Sequence, residues 1–220
     1  MQPLDTYARR GLWALPVWAV LLFLATITHQ PDYRTDFAGW SRYVTTDWFL
    51  ASHLLGSILG AGIGILGFVA LSIVLVSRDA PRLALWGLVT GVLGNTLITA
   101  VFGVAAFAQP AIGRAFLDGV AAADPLYDDV NGAPLFATAG LGVLLFSAAT
   151  IVYGVAVIRT GLVPRLVGIA FAAGGPVFAV VGLILANFVQ SIGAALLVVG
   201  AAWIAQGQRN SSRLGVSEPG

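Results

Sequence analysis

The sequence of 220 residues contains no cysteine and no lysine, and it has only two histidines. The absence of cysteine excludes disulfides, thiolate nucleophiles and thiolate ligands of iron–sulfur clusters. The absence of lysine excludes a Walker-type phosphate loop, and two histidines cannot supply the histidine boxes of a membrane di-iron enzyme. The G-x-S-x-G motif of serine hydrolases is also missing. We therefore expect a protein without enzymatic activity.

Charged residues are scarce as well. They make up 10% of the chain, whereas hydrophobic residues make up 58%; a soluble domain has about 25% charged residues. This composition predicts an all-α integral membrane protein whose main partner is the lipid bilayer. The formal net charge of +1 gives no sign of the clustered basic surface that nucleic-acid binding requires, so we expect no nucleic-acid partner.

Long charge-free runs predict six transmembrane helices, because about 20 apolar residues are enough to cross a bilayer. The predicted spans cover about residues 11–29, 48–77, 83–108, 134–158, 166–186 and 190–206. They form a single domain over residues 1–208, and a disordered cytoplasmic tail follows over 209–220. The last two spans share a charge-free run of 43 residues, which is too long for one span and about right for two.

The longest predicted span carries small residues at every fourth position, namely Ser52, Gly56, Gly60 and Gly64. Such a ladder forms a surface that another helix can approach closely. We expect the Gly56/Gly60/Gly64 face to hold a neighbouring helix, a second copy of the chain or another membrane protein.

Two polar segments between the spans carry apolar residues at helical spacing. These residues are Tyr33, Phe37, Trp40 and Val44 in the first segment and Ile112, Phe116 and Val120 in the second. The pattern in the first segment indicates a helix that lies along the membrane surface with its aromatic face down. A plain loop is the alternative.

The placement of arginine predicts the orientation of the spans. Eight of the 11 basic residues share the side of the chain termini with three acidic residues, and the other side has three arginines and seven acidic residues. The positive-inside rule puts the arginine-rich side in the cytoplasm. We therefore expect a multi-pass protein of the cell membrane with both termini in the cytoplasm.

A weak internal repeat joins the predicted helices into two similar hairpins. Helices two and three are linked by R-x-x-P-R-L, and helices four and five by R-x-x-x-x-P-R-L. The run GVAVIRTGLVPRLVGI, residues 154–169, resembles a pattern of uncharacterised multi-pass membrane proteins of GC-rich bacteria. The resemblance covers only the second hairpin. It implies a membrane fold and assigns neither an activity nor a site.

Polar and small residues fall near the predicted centres of three spans. They are Asn95 and Thr99 on helix three, Ser147 and Thr150 on helix four, and Gly174, Gly175 and Pro176 on helix five. Several carriers build a substrate site at an interrupted helix near the midplane, so one interpretation is a pocket for a small neutral or lipophilic molecule. The other is helix packing, with Asn95 bonded to a neighbouring helix. Packing is favoured, because no charged residue lies inside the spans to couple transport to an ion gradient.

The two histidines suggest an alternative function. His29 ends the first predicted span and His53 begins the second at the same face, which is the arrangement that a b-type haem in a membrane electron carrier requires. Helix one has no small-residue face near His29 to admit the macrocycle. We expect instead that His29 meets the lipid headgroups and that His53 hydrogen-bonds the segment 30–47.

The sequence therefore predicts a membrane protein of unknown activity. It would bind or pass a small neutral or lipophilic molecule, or serve as a subunit of a membrane assembly. A haem-based electron carrier is the alternative.

The predicted orientation can be tested with reporter fusions. A reporter that is active only in the cytoplasm should be active when fused after Arg213 and inactive when inserted near Asp124, because the arginine-rich side stays in the cytoplasm. The reverse pattern of activity would contradict the predicted orientation.

Overall fold

The computed structural model describes residues 3–27, 30–181 and 187–214, which form helices and their connections. In chain order the α-helices are α1 (Pro3–Gly11), α2 (Ala14–Thr26), α3 (Phe37–Val44), α4 (Asp47–Ala51), α5 (Gly60–Val76), α6 (Pro81–Gly103), α7 (Gln109–Leu117), α8 (Ala123–Val130), α9 (Ala133–Arg159), α10 (Arg165–Pro176) and α11 (Asn187–Leu214). Three π-helical segments continue them: π1 (Ser52–Leu59), π2 (Val104–Ala108) and π3 (Val177–Val181).

Six helices form a closed ring. α2, α5, α6, α9, α10 and α11 pack on one another in chain order, and α11 packs back on α2. The turns after α5 and α9, together with the helix ends that flank them, carry Arg78, Arg82, Arg159 and Arg165, and we call this side of the ring the arginine end. α2, α6 and α10 run away from it, and α5, α9 and α11 run back.

Five helical stretches are long and apolar enough to cross a membrane. They are Thr6–Thr26, Asp47–Val76, Pro81–Leu117, Ala133–Arg159 and Phe188–Gly207. A shorter apolar helix, Arg165–Val181, packs in the ring between α9 and α11. Residues 182–186, the end of the predicted fifth span, lie outside the described residues. The structure is thus that of an all-helical, multi-pass membrane protein.

Three observed helix bounds differ from the predicted ones, and proline explains the first difference. The first predicted span is broken at Leu12 and Trp13. Pro16 lies four residues after Leu12 and has no N–H group to donate to the Leu12 carbonyl. The third predicted span does not end near Ala108 but stays helical to Leu117, with the wider turn of π2 just before Pro110. At the other end of the chain, α11 extends to Leu214, six residues into the predicted disordered tail.

The small-residue ladder of the second span packs on α2 of the same chain. A Cβ atom placed on Gly56 would lie 2.7 Å from the Cβ of Ala25, and one on Gly64 would lie 2.8 Å from the Trp18 ring. At Gly60 the neighbour is Leu21, at 3.5 Å. The predicted close helix contact is confirmed. The helix on this face is α2 of the same chain, and the expectation of a second copy or a membrane partner there has no support from the structure.

Aromatic side chains fill the centre of the ring. Trp18, Phe68, Phe146, Tyr153 and Phe178 are buried and meet in a chain of contacts with ring centroids 5.2 to 5.9 Å apart. The Tyr153 hydroxyl donates to the carbonyl of Phe68 at 3.1 Å and pairs with Ser72 Oγ at 2.7 Å, so this buried polar group is satisfied. We call these five side chains the aromatic layer.

A second, smaller core lies beyond the other end of the ring, where α3, α7 and α8 form a cap. Trp40 and Val44 of α3 have no exposed surface and pack with Ile112 of α7 and Tyr127 of α8. Burial raises the pKa of Tyr127 to about 12, so its hydroxyl stays protonated even in mildly alkaline solution. The prediction that the aromatic face of residues 30–47 lies on the membrane is therefore wrong, because that face is covered by the apolar face of α7.

The two hairpin turns end their helices in the same way. Asp79 and Gly161 both have positive φ, and the amide that follows each donates to the carbonyl five residues earlier at 3.0 Å. This is the Schellman arrangement. The same arrangement ends α7 at Gly119, which is not in a hairpin. The two linkers thus share a helix-capping arrangement that also occurs outside the hairpins.

Two glycines on α5 offer a matched test of the α2 contact. Gly64→Ala should lower the unfolding free energy by about 1 to 3 kcal/mol, because its methyl group would overlap the buried Trp18 ring. Gly62→Ala should be neutral or stabilising by up to ~1 kcal/mol, because Gly62 is exposed with open space beside it. Thermal unfolding in detergent measures both effects. Equal melting temperatures for the two variants would show that α2 does not pack on this face.

Candidate functional site

A cavity of about 210 Å³ lies inside the ring at its cap end. Its lining residues come from the last turns of the helices that run toward the cap and from the first turns of those that run back. Leu22 and Thr26 on α2 and Ser52 and Ser57 on π1 illustrate this placement. All six ring helices or their π-helical continuations contribute, together with Tyr43 of the cap. The cavity is thus a product of the whole ring.

The polar and apolar lining residues are separated along the ring axis. Those nearest the cap can form hydrogen bonds: Gln30, Tyr43, Ser52, His53 and Gln190. Those deeper in the ring are mostly apolar, with Ser57 as the polar exception: Leu22, Ile98, Val143 and Phe178. Phe178 also belongs to the aromatic layer, which fills the ring below. Among the described residues, none that lines the cavity carries a formal charge.

The π-helical segments border this cavity. Ser52, His53 and Ser57 lie on π1, and Phe178 lies on π3. π2 begins two residues after Phe102, which also lines the cavity. A π-helical turn changes the hydrogen-bond ladder of a helix, and such turns occur often at functional sites. Here three of them converge at one level of the ring.

His53 is held by the backbone of its own helix. Its Nδ1 lies 2.9 Å from the carbonyl oxygen of Phe49, and its ring packs on the Phe49 ring with centroids 4.1 Å apart. The same carbonyl accepts a hydrogen bond from Ser52 Oγ at 2.8 Å. The predicted bond from His53 to the segment 30–47 is wrong for the described residues, because the Phe49 carbonyl engages the imidazole. The sequence analysis singles out His53 as a possible haem ligand, and the structure places this residue in the lining of the cavity.

The cavity does not fit the alternative of a b-type haem. His29, the other predicted ligand, lies outside the described residues. Drug-sized ligands occupy pockets of roughly 300 to 1,000 Å³, and a haem is at least as large as such a ligand, whereas the cavity beside His53 measures about 210 Å³.

The predicted midplane residues on helices three and four do not line the cavity. Asn95 is buried, as predicted, and its Nδ2 donates at 2.8 Å to the carbonyl of Gly91 in its own helix. Thr99 and Thr150 likewise bond carbonyls of their own helices. Ser147 Oγ is buried without a hydrogen-bond partner among the described residues. These side chains form hydrogen bonds within their own helices or pack inside the ring, and none of them lines the cavity.

The predicted interruption on helix five also serves packing. Gly174 lies against Leu197 of α11, and Gly175 lies against Thr150 of α9. Pro176 ends α10, but the chain continues as π3 without a break. The proline thus coincides with a wider turn of the helix, and the residues that reach the cavity are the ones that follow it, such as Phe178.

Sequence reasoning missed most of the polar lining. Gln190 falls at the start of the predicted sixth span and Ser52 in the small-residue ladder, while Gln30 and Tyr43 fall in the segment 30–47. One signal in the sequence could have found them, because all four lie near the ends of spans that meet on the same side of the bilayer.

Comparisons of the chain with family models, curated proteins and solved structures find no match. The resemblance of residues 154–169 to multi-pass membrane proteins of GC-rich bacteria stays a prediction. The functional inference therefore depends on the geometry of the cavity.

A substitution at Asn95 tests whether the midplane group serves packing. Asn95→Leu should fold and lose only about 1 kcal/mol of unfolding free energy, because the hydrogen bond it removes lies within α6. The neighbouring Gly94→Ala should cost more, because its methyl group would overlap the backbone of α9 at Phe146. Thermal unfolding in detergent compares the two variants. Failure of Asn95→Leu to fold would show that Asn95 has an essential partner on another helix.

Proposed function

We propose that this chain is a six-span protein of the cell membrane, with cytoplasmic termini, that binds a small uncharged molecule in the cavity at the cap end of the ring. The observation that carries the proposal is the cavity itself, with its hydrogen-bonding rim, apolar floor and uncharged lining. An ionised ligand would lose its hydration without gaining an opposite charge, which is costly in an apolar site.

The size of the cavity limits the ligand. An engineered apolar cavity of about 150 Å³ in another protein binds benzene, so 210 Å³ has room for a single ring with a few further atoms, or for a short chain. The polar rim would hold the polar end of such a molecule near the cap, and Leu22, Ile98 and Val143 would contact its apolar part.

Binding is favoured over passage through the ring. Below the cavity the aromatic layer closes the axis, with Trp18 and Phe68 fully buried and their ring centroids 5.2 Å apart. Continuing toward the arginine end, Tyr153 and Leu75 are also fully buried. A molecule in the cavity would therefore have to displace several packed side chains to move further.

A pair of alanines on α9 provides the test. Ala139 lines the cavity, whereas Ala137 is exposed on the same helix. Ala139→Phe should fill the cavity and weaken the binding of single-ring probes at least tenfold. Ala137→Phe should leave their binding unchanged. Fluorine NMR of 4-fluorophenol, 4-fluoroacetophenone and 4-fluorotoluene, added to the protein in lipid nanodiscs, measures binding.

Partition of the probes into lipid is the same for both variants, so the difference between them isolates the cavity. If Ala139→Phe and Ala137→Phe bind every probe alike while both remain folded, the cavity is not a binding site and the proposed function is wrong.

A further inference from the structure

The hydrogen bonds around the cavity rim point to the chemistry of the ligand. His53 Nδ1 lies 2.9 Å from the carbonyl oxygen of Phe49. A carbonyl oxygen can only accept, so the imidazole hydrogen is on Nδ1. In a neutral imidazole the other nitrogen, Nε2, is then an acceptor. Within the described residues Nε2 has no hydrogen-bond partner, and it lies on the edge of the ring that extends away from the helix.

The hydroxyl groups at the rim are arranged in the same way. Ser52 Oγ donates to the Phe49 carbonyl at 2.8 Å, and Thr26 Oγ1 donates to the Phe23 carbonyl at 3.0 Å. A hydroxyl has one hydrogen and two lone pairs. With their hydrogens bound to their own helices, both groups present only lone pairs to any further partner. Gln30 and Gln190, whose amides both donate and accept, do not discriminate between ligand types.

We infer that the cavity takes an uncharged molecule with an O–H or N–H donor, such as an alcohol or a phenol, and that this donor bonds His53 Nε2. The inference rests on the proposed function of the cavity and specifies its ligand class. A molecule whose polar group only accepts, such as a ketone, would face lone pairs at His53, Ser52 and Thr26. At these three groups it would find no donor to replace the hydrogen bonds that it makes to water.

The three fluorinated probes separate this inference from the proposed function. The ring and the fluorine are the same in all three, but 4-fluorophenol carries a donor, 4-fluoroacetophenone only an acceptor, and 4-fluorotoluene neither. The wild-type protein should bind 4-fluorophenol about three- to tenfold more tightly than 4-fluoroacetophenone, which is the effect of one hydrogen bond between neutral groups.

Variants of His53 assign that preference to one nitrogen. His53→Leu should abolish the preference for 4-fluorophenol and leave 4-fluorotoluene binding within about twofold. His53→Gln, which restores a carbonyl acceptor, should regain part of the preference. The readout is a ratio of affinities within each variant, so a general loss of folded protein does not produce it.

Each outcome has a distinct meaning. Ala139-dependent binding in which the ketone equals or exceeds the phenol would overturn the donor inference and leave the proposed function standing. A preference for the phenol that survives in His53→Leu would overturn the role of Nε2. Binding that is insensitive to Ala139→Phe would overturn the proposed function itself.

Discussion

Contact between an aromatic ring and a glycine of the neighbouring helix is the constraint on which this ring of helices depends. A Cβ placed on any of four glycines would come within 2.6 to 2.8 Å of a buried aromatic side chain on the adjacent helix. The pairs are Trp18 with Gly64, Phe68 with Gly91, Tyr153 with Gly87, and Phe171 with Gly200. Lipid is as apolar as these side chains, so burial from water does not hold the helices together, and close van der Waals packing must do so.

The cavity lies where this packing ends. Toward the cap, small side chains such as Ala25, Ala139 and Ala179 make up part of the lining, so the side chains fill the ring less completely there. Wider π-helical turns occupy the same level, and the cap covers the end with Tyr43 among the lining residues. Rigid packing in one half of the ring and a space in the other half thus follow from the distribution of large and small residues along the same helices.

The sequence predicts the membrane fold well, because the length and composition of a span are local properties. It also predicts the ladder through Gly56 and Gly64 as a helix contact, but spacing alone does not say which helix lies there. The prediction for residues 30–47 was wrong for the same reason. The spacing of apolar residues in α3 identifies an apolar face, but it does not identify α7 as the helix that covers this face. At the site, His53 was found because histidine is rare in this chain, whereas Ser52 and Gln190 are ordinary residues that gain meaning only when the ring brings their helix ends together.

The cost of the cavity favours an occupant. Apolar lining residues that have no partner atoms lose van der Waals contacts that a bound molecule would supply. Water can satisfy Ser52 and His53 at the rim, but it gains nothing at Leu22, Ile98 or Val143 on the floor. A larger residue at Ala139 would remove the cost in one substitution. A molecule with a polar end and an apolar body would make favourable contacts at both the rim and the floor of the cavity, which neither water nor a purely apolar ligand can do.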